Sequence, residues 1–279
     1  MKKLVITDLD NTLYDWVSFY ASSFKAMLDE LEVTTGISRD VLLADFKLIH
    51  QKHGNAEQPW AILELPSLFK HYKTDDRRLL KEKVDPALHA FNRARLKHLR
   101  CYDGVIETLQ SLKDQNITLV AHTEAPARNA LYRLEKLGLK RFFSHLYTPK
   151  DRFHHVLDEK SVNWLDRQGD FLQLLEENER KPNPHLLRLI CEKESVDPRN
   201  ALYIGDSIVK DIAMANAAGA TSVWAEYGKQ HNPDFWKILV SITHWTDEDV
   251  KREEQLKEAL SDTKPAFVAS EFSDLLKYL

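Results

Sequence analysis

The strongest constraint on the fold is a set of short apolar, β-branched runs, most of them followed at once by a turn or a polar residue. Leu4-Val5-Ile6-Thr7 leads into Asp8, Ile117–Ala121 into His122-Thr123, and Ala201-Leu202-Tyr203-Ile204 into Gly205-Asp206. Ala220–Trp224 and Ala266-Phe267-Val268-Ala269 are further runs of the same kind. Runs this short and this continuously apolar predict strands buried on both faces, as in a parallel sheet, and not membrane spans, which need about 18 apolar residues or more. Helical patterns lie between them. Ala130, Leu131, Leu134 and Leu137 share one 3.6-period face that Gly138 can cap, and Asn183-Pro184 opens another helix in cap-then-proline order. Strand followed by helix, repeated, predicts a Rossmann-like, three-layer α/β core with a parallel sheet.

Three regions break that rhythm. From Tyr14 to His98 the signals are helical throughout, with Phe24, Met27, Leu28 and Leu31 as one apolar stripe. This stretch predicts an inserted helical cap domain over 14–98, leaving residues 1–13 and 99–279 to the α/β core. Residues 149–180 and 231–263 read as extra segments of that core. Trp164, Phe171, Phe235 and Trp236 in them predict either a local core or an interface, so monomer and homodimer both stay open.

Composition narrows the function. The chain has 279 residues and is 43% hydrophobic, which fits a globular fold. Its formal charge of −4 argues against a general nucleic-acid binder, and the basic run Arg93, Arg95, Lys97, His98 and Arg100 reads as a solvated helix face. Two cysteines, Cys101 and Cys191, exclude a disulfide framework. The opening lacks a signal-peptide pattern and no membrane span is evident, so a soluble, cytoplasmic protein is expected.

Four polar elements fall where strands or loops should end: Asp8-Leu9-Asp10-Asn11-Thr12, Thr123, Lys181, and Gly205-Asp206-Ser207 with Asp211. In open α/β sheets, ligands gather at the carboxyl ends of the strands. Clustered carboxylates repel and call for a cation, and an all-oxygen set suits Mg2+. A phosphate adds negative charge, which Lys181 and the Thr123 hydroxyl can meet. An aspartate can then attack phosphorus, while a second carboxylate handles the leaving-group proton. His154, His155 and Asp158, with Asp151, have spacings that admit a second metal site or simply a polar face. Tyr14, Trp16, Phe19 and Tyr20 line either the substrate pocket or the cap interior.

Together these elements resemble the four motifs of the haloacid dehalogenase superfamily, in its aspartate-nucleophile phosphatase branch. Asp8–Leu13 is similar to the first motif, Leu119–Thr123 to the second, Lys181-Pro182-Asn183-Pro184 to the third and Gly205–Asp211 to the fourth. The resemblance implies a helical, C1-type cap. It implies Asp8 as nucleophile, Asp10 as general acid and base, and Thr123 and Lys181 as phosphoryl-oxygen holders. It further implies Mg2+ held by Asp8, Asp206 and the Asp10 main-chain carbonyl, with Asp211 and Ser207 in support. The substrate class it implies is a small phosphorylated metabolite, with no nucleic-acid or membrane partner. Asp10 disfavours a dehalogenase, whose halide leaves without a proton. A sugar phosphomutase and a non-catalytic binding protein of the same fold are the alternatives. Phosphonate hydrolysis would need a special cap lysine, and Lys25, Lys47 and Lys52 carry no such mark. Glu124 departs from the family pattern; it either repels acidic substrates or points away from the cleft.

Overall fold

Leu4, Val5, Ile6 and Thr7 are all buried and form β1 (Leu4–Thr7). The coordinates are those of a computed structural model, which describes residues 2–57, 60–150, 159–176 and 179–279. The other strands are β2 (Thr118–His122), β3 (His145–Pro149), β4 (Leu172–Leu175), β5 (Ala201–Gly205), β6 (Thr221–Ala225) and β7 (Phe267–Ala269). They make one seven-stranded sheet in the order β4-β3-β2-β1-β5-β6-β7, with every neighbouring pair parallel. The α/β, Rossmann-like fold expected from the sequence is therefore present.

The register places the chemistry. Thr7 lies opposite Ala121 of β2 and Ile204 of β5, so these three strands end at nearly one level. Asp8, Thr123 and Asp206 are each the residue immediately past a strand end, on three adjacent strands. The chain builds outward through β2, β3 and β4 on one side of β1, then returns to build β5, β6 and β7 on the other. The β1–β5 junction is thus the topological switch point, where such sheets open a crevice.

After β1 the chain forms α1 (Trp16–Thr35), α2 (Arg39–His53), α3 (Pro66–Tyr72) and α4 (Arg77–His98). The expected stripe of Phe24, Met27, Leu28 and Leu31 is buried on α1, which packs along α4. Returning to the sheet, the chain adds α5 (Val105–Asp114), α6 (Ala127–Lys136), α7 (Glu159–Asp166), α8 (Pro184–Lys193) and α9 (Ala213–Ala218). Leu4 and Ile6, two apart on β1, share a core with Leu187 and Ile190 of α8 and Met214 of α9. The period-2 alternation of the strand sends Val5 and Thr7 to the opposite face. Replacing Ile190 by Ala would cost about 2–5 kcal/mol from this layer. The Asn183 side chain accepts from the Leu186 N–H at 3.0 Å, with Pro184 at the first turn, so α8 starts where cap-then-proline order predicts.

Within residues 149–180, read as an extra segment of the core, Leu172–Leu175 pairs in parallel with β3. The strand is a half-exposed edge, so it lacks the long apolar run that marks a central strand. Residues 231–263, read as a second extra segment of the core, divide differently. Two compact units emerge: Met1–Asp15, Arg100–Gln230 and Lys257–Leu279 form one, and Trp16–Leu99 with His231–Leu256 forms the other. Helix α10 (Pro233–Ser241) packs on α1 and α2, and is followed by α11 (Asp247–Ala259). Leu239 and Ile242 are buried in this unit, and the Ile242 carbonyl lies 2.7 Å from His50 Nδ1. The segment thus completes a helical core that residues 16–99 leave unfinished. Among the described residues, no helix is long and apolar enough to cross a membrane.

Candidate active site

Asp8 follows β1 and keeps the sheet pattern for one more step, its N–H donating to the Ile204 carbonyl at 2.9 Å. The chain then turns sharply. Asn11 adopts a left-handed φ of 57°, a conformation Asn tolerates better than most residues, and the Leu13 N–H donates back to the Leu9 carbonyl. Asp8 is buried, with the residue 7% exposed. Its Oδ1 accepts from Lys181 Nζ at 2.6 Å and its Oδ2 from the Thr12 hydroxyl at 3.2 Å.

Lys181 is buried between two carboxylates. Its ammonium also donates to Asp211 Oδ1 at 2.9 Å, and Tyr203 OH approaches the same oxygen at 3.3 Å. The other Asp211 oxygen accepts the Ser207 N–H at 3.0 Å, so Asp211 holds the turn after β5 as well as the lysine. Gly205 makes this possible: a Cβ there would lie 2.4 Å from the Asp211 carboxyl carbon. Asp206 accepts from Lys229 Nζ at 3.1 Å. Just before that lysine, Gly228 lies so close to the first loop that a Cβ would sit 2.0 Å from the Asn11 carbonyl oxygen. Lys229 and both glycine contacts were not singled out by the sequence reading; the glycines in the fourth motif and after β6 were the available signal.

Asp8, Asp206 and Asp211 each offer an oxygen within 4.8 Å of the others. Three carboxylates here meet two ammonium groups, Lys181 and Lys229. Burial pushes the Asp8 carboxyl well above its usual range, with the Lys181 ammonium opposing it. Burial likewise raises Asp206, against Lys229. Burial alone would lower Lys181, but Asp211 and Asp8 outweigh it and keep the ammonium firmly charged. His122 is held neutral by burial and then by the nearby Lys181 charge.

The Asp10 side chain stands outside this cluster. Its Oδ2 lies 3.5 Å from Nη2 of Arg133, which is 1% exposed and sits over the Tyr14 ring at 5.8 Å. Arg133 was missed because it lies on the apolar face of α6 among Ala130, Leu131 and Leu134. Its signal is that very break, since a buried charge is expensive without a partner. Thr123 is buried, its N–H donates to the Tyr147 carbonyl at 3.0 Å, and its Oγ1 accepts the Ala125 N–H at 3.1 Å. Ser207 Oγ accepts the Lys210 N–H at 3.2 Å.

Glu124 answers the question left by the sequence. Its Oε1 accepts the Lys181 main-chain N–H at 3.2 Å and its Oε2 the Lys210 ammonium at 2.7 Å, so its charge is committed to neighbouring loops. Tyr14 is fully buried in the core unit. In the helical unit, Phe19 and Tyr20 are buried and Trp16 stacks on Tyr20 at 5.4 Å. Lys25 and Lys52 are surface residues paired with Asp29 and Glu64. The Asp151, His154, His155 and Asp158 set lies outside the described residues.

A family model described as haloacid dehalogenase-like hydrolase matches residues 2–219, which takes in Asp8, Thr123, Lys181, Asp206 and Asp211. The chain belongs to the haloacid dehalogenase-like hydrolase family. A HAD-hydrolase-like model also matches residues 178–275 of this family member. The glyceraldehyde 3-phosphate phosphatase of Methanopyrus kandleri is 25% identical over 82% of this chain and 86% of its own length. The phosphoglycolate phosphatase of Pseudomonas savastanoi pv. phaseolicola is 29% identical over 83% of this chain and 72% of its own. Among solved structures, a 2-haloacid dehalogenase from Pseudomonas syringae pv. Tomato matches with a TM-score of 0.57 at 18% identity. It covers 99% of this chain and 97% of that one, and speaks to the fold of this hydrolase alone.

Proposed function

We propose that this chain is a Mg2+-dependent phosphatase that hydrolyses a small phosphate monoester through an aspartyl-phosphate on Asp8. The observation that carries the reading is the buried Asp8 carboxylate past the end of β1, lysine-paired and within 4.8 Å of Asp206 and Asp211. The relatives named above are phosphatases of glyceraldehyde 3-phosphate and phosphoglycolate, so monoesters of that small size are the class to test.

The residues fit a hard divalent cation, because the donor set is all oxygen and its carboxylates outnumber the ammonium groups set among them. Asp8 and Asp206, with the Asp10 main-chain carbonyl, would hold it. Asp211, with both oxygens hydrogen-bonded inside the protein, would support the lysine and the turn. Such a cation, when bound, would neutralise phosphoryl charge and favour the ionised form of Asp8.

The chain's own groups then account for the chemistry. An Asp8 oxygen attacks phosphorus as the bond to the ester oxygen breaks, and Asp10 gives that oxygen its proton. Lys181 and Thr123 hold the other phosphoryl oxygens. Asp10, now a base, takes a proton from a water that attacks phosphorus, releasing phosphate and restoring Asp8. Arg133 beside Asp10 holds the carboxylate that carries both proton transfers.

A panel of small phosphate monoesters, assayed for phosphate release with Mg2+ and with chelator, tests the reading. Wild type should release phosphate only with metal, and Asp206→Asn should require far more of it. Conversion to an isomer without free phosphate would point instead to a mutase, and metal-loaded, folded protein inactive on the whole panel would count against the phosphatase.

A further inference from the structure

We infer that Glu124 is a positioning residue, a strap that ties the Lys181 loop and the turn after β5 to the end of β2 and so fixes where the Lys181 ammonium meets Asp8. The inference rests on the proposed phosphatase for its kinetic consequences, and on geometry alone for the strap itself.

Lysine is a point charge on a flexible four-carbon stem, so the place of its head depends on where its main chain is anchored. The Lys181–Pro184 stretch is poor in anchors. Pro182 and Pro184 have no N–H, which leaves Lys181 and Asn183 as its main-chain donors. The Lys181 N–H goes to Glu124 Oε1 at 3.2 Å, while its ammonium, at the other end of the residue, reaches Asp8 and Asp211 at 2.6 and 2.9 Å. One carboxylate therefore fixes the tail whose head lies on the reactive aspartate.

The second oxygen of Glu124 completes the strap. It accepts from Lys210 at 2.7 Å, and Lys210 belongs to the turn that Ser207 and Asp211 shape. The strands β2 and β5 flank β1 on opposite sides, so the Glu124–Lys210 pair joins the two loops that stand either side of Asp8. The two side chains are 34% and 29% exposed, and ion pairs that wet contribute little to global stability. The pair's effect should therefore appear in the geometry of the loops more than in the stability of the fold.

Three variants separate the parts of the strap. Glu124→Ala removes both contacts, Glu124→Gln keeps an oxygen for the Lys181 N–H, and Lys210→Met removes the ion pair while leaving the Lys181 N–H contact in place. Each is measured for kcat and KM on one monoester, for thermal midpoint, and for Lys181 exposure by reductive methylation read by peptide mass spectrometry. Glu124→Ala should lower kcat by about tenfold or more, since a misplacement of the order of 1 Å is enough. Its midpoint should stay within about 3 °C of wild type, as for an exposed pair. Lys181 should be protected in wild type and become labelled in Glu124→Ala. Glu124→Gln and Lys210→Met should recover to within about threefold of wild type, because the retained N–H contact is a hydrogen bond of ordinary strength.

Wild-type kinetics and Lys181 protection in Glu124→Ala would overturn the strap, as would equal losses in Glu124→Ala and Glu124→Gln. Wild type without phosphatase activity would refute the proposed function alone, since the methylation pattern tests the strap without turnover.

Discussion

Lys181 shows how strongly single residues are bound to one another here. Its ammonium is buried against Asp8 and Asp211, and those carboxylates would repel each other without it. Lys181→Met should therefore act on stability and activity together. Removing one partner of a buried ionic group costs about 3–5 kcal/mol, to be read by urea unfolding near neutral pH. Phosphate release should fall by a hundredfold or so, as for the loss of a preorganised charge. A Lys181→Met protein as stable as wild type would contradict the description of a buried, mutually dependent trio. At this scale the sequence was legible where a residue type sits just past an apolar run: Asp8, Thr123 and Asp206 could be found that way. Arg133 could not, because it is embedded in a helix face whose apolar period hides it. Lys229 is one exposed-looking lysine among the 39 basic residues of the chain.

Elements rather than residues explain why these groups meet. Parallel strands in close register end at one edge, so residues 8, 123 and 206, far apart in sequence, follow three neighbouring strands. The turn after β5 depends on Gly205, where space and not backbone freedom is the constraint. Gly205→Ala would drive a Cβ into the Asp211 side chain, 2.4 Å from its carboxyl carbon. Asp211 must then release Lys181 or the Ser207 N–H. The expected result is a folded protein with phosphate release reduced at least tenfold and a thermal midpoint lowered by several degrees, an overpacking penalty of about 1–3 kcal/mol. Unchanged turnover in Gly205→Ala would show that Asp211 has no part in the site. The central strands were readable within a residue or so because they are continuously apolar. By contrast, β3 carries His145 and Thr148, and β4 is a four-residue edge with an exposed Leu174, so neither gives the signal of a buried strand.

The molecule as a whole divides into a sheet-based unit and a helical unit, and the second contains a histidine that responds to acid. His50 is buried among Phe24 and Phe46, with Nδ1 2.7 Å from the Ile242 carbonyl. Burial holds its pKa down to about 4, against the usual 6.5. The unfolded chain therefore binds more protons between those values, and stability falls as pH falls. The contribution is fully present above about pH 6.5 and is lost as the pH drops toward 4. Between pH 7 and pH 5 the loss should be about 2 kcal/mol. Urea unfolding followed by tryptophan fluorescence should show it in wild type and a shallower dependence in His50→Gln, which can still donate to Ile242. Equal slopes in the two proteins would contradict this placement of the proton. The helical unit also marks the limit of reading boundaries from sequence. The helical pattern after β1 announces itself in the sequence, whereas His231–Leu256 joins that unit through tertiary contacts such as the approach of the Ile242 carbonyl to His50 Nδ1 at 2.7 Å.

The central claim is that Asp8 is the nucleophile of a phosphate-monoester hydrolysis. Its most direct test is an acid quench of wild type during turnover of an active monoester, followed by peptide mass spectrometry, with Asp8→Asn in parallel. A phosphoryl group on the Asp8 peptide of wild type, with neither that adduct nor phosphate release in Asp8→Asn, is the result predicted. Normal phosphate release by Asp8→Asn, or a phosphoryl group trapped on another residue, would contradict it.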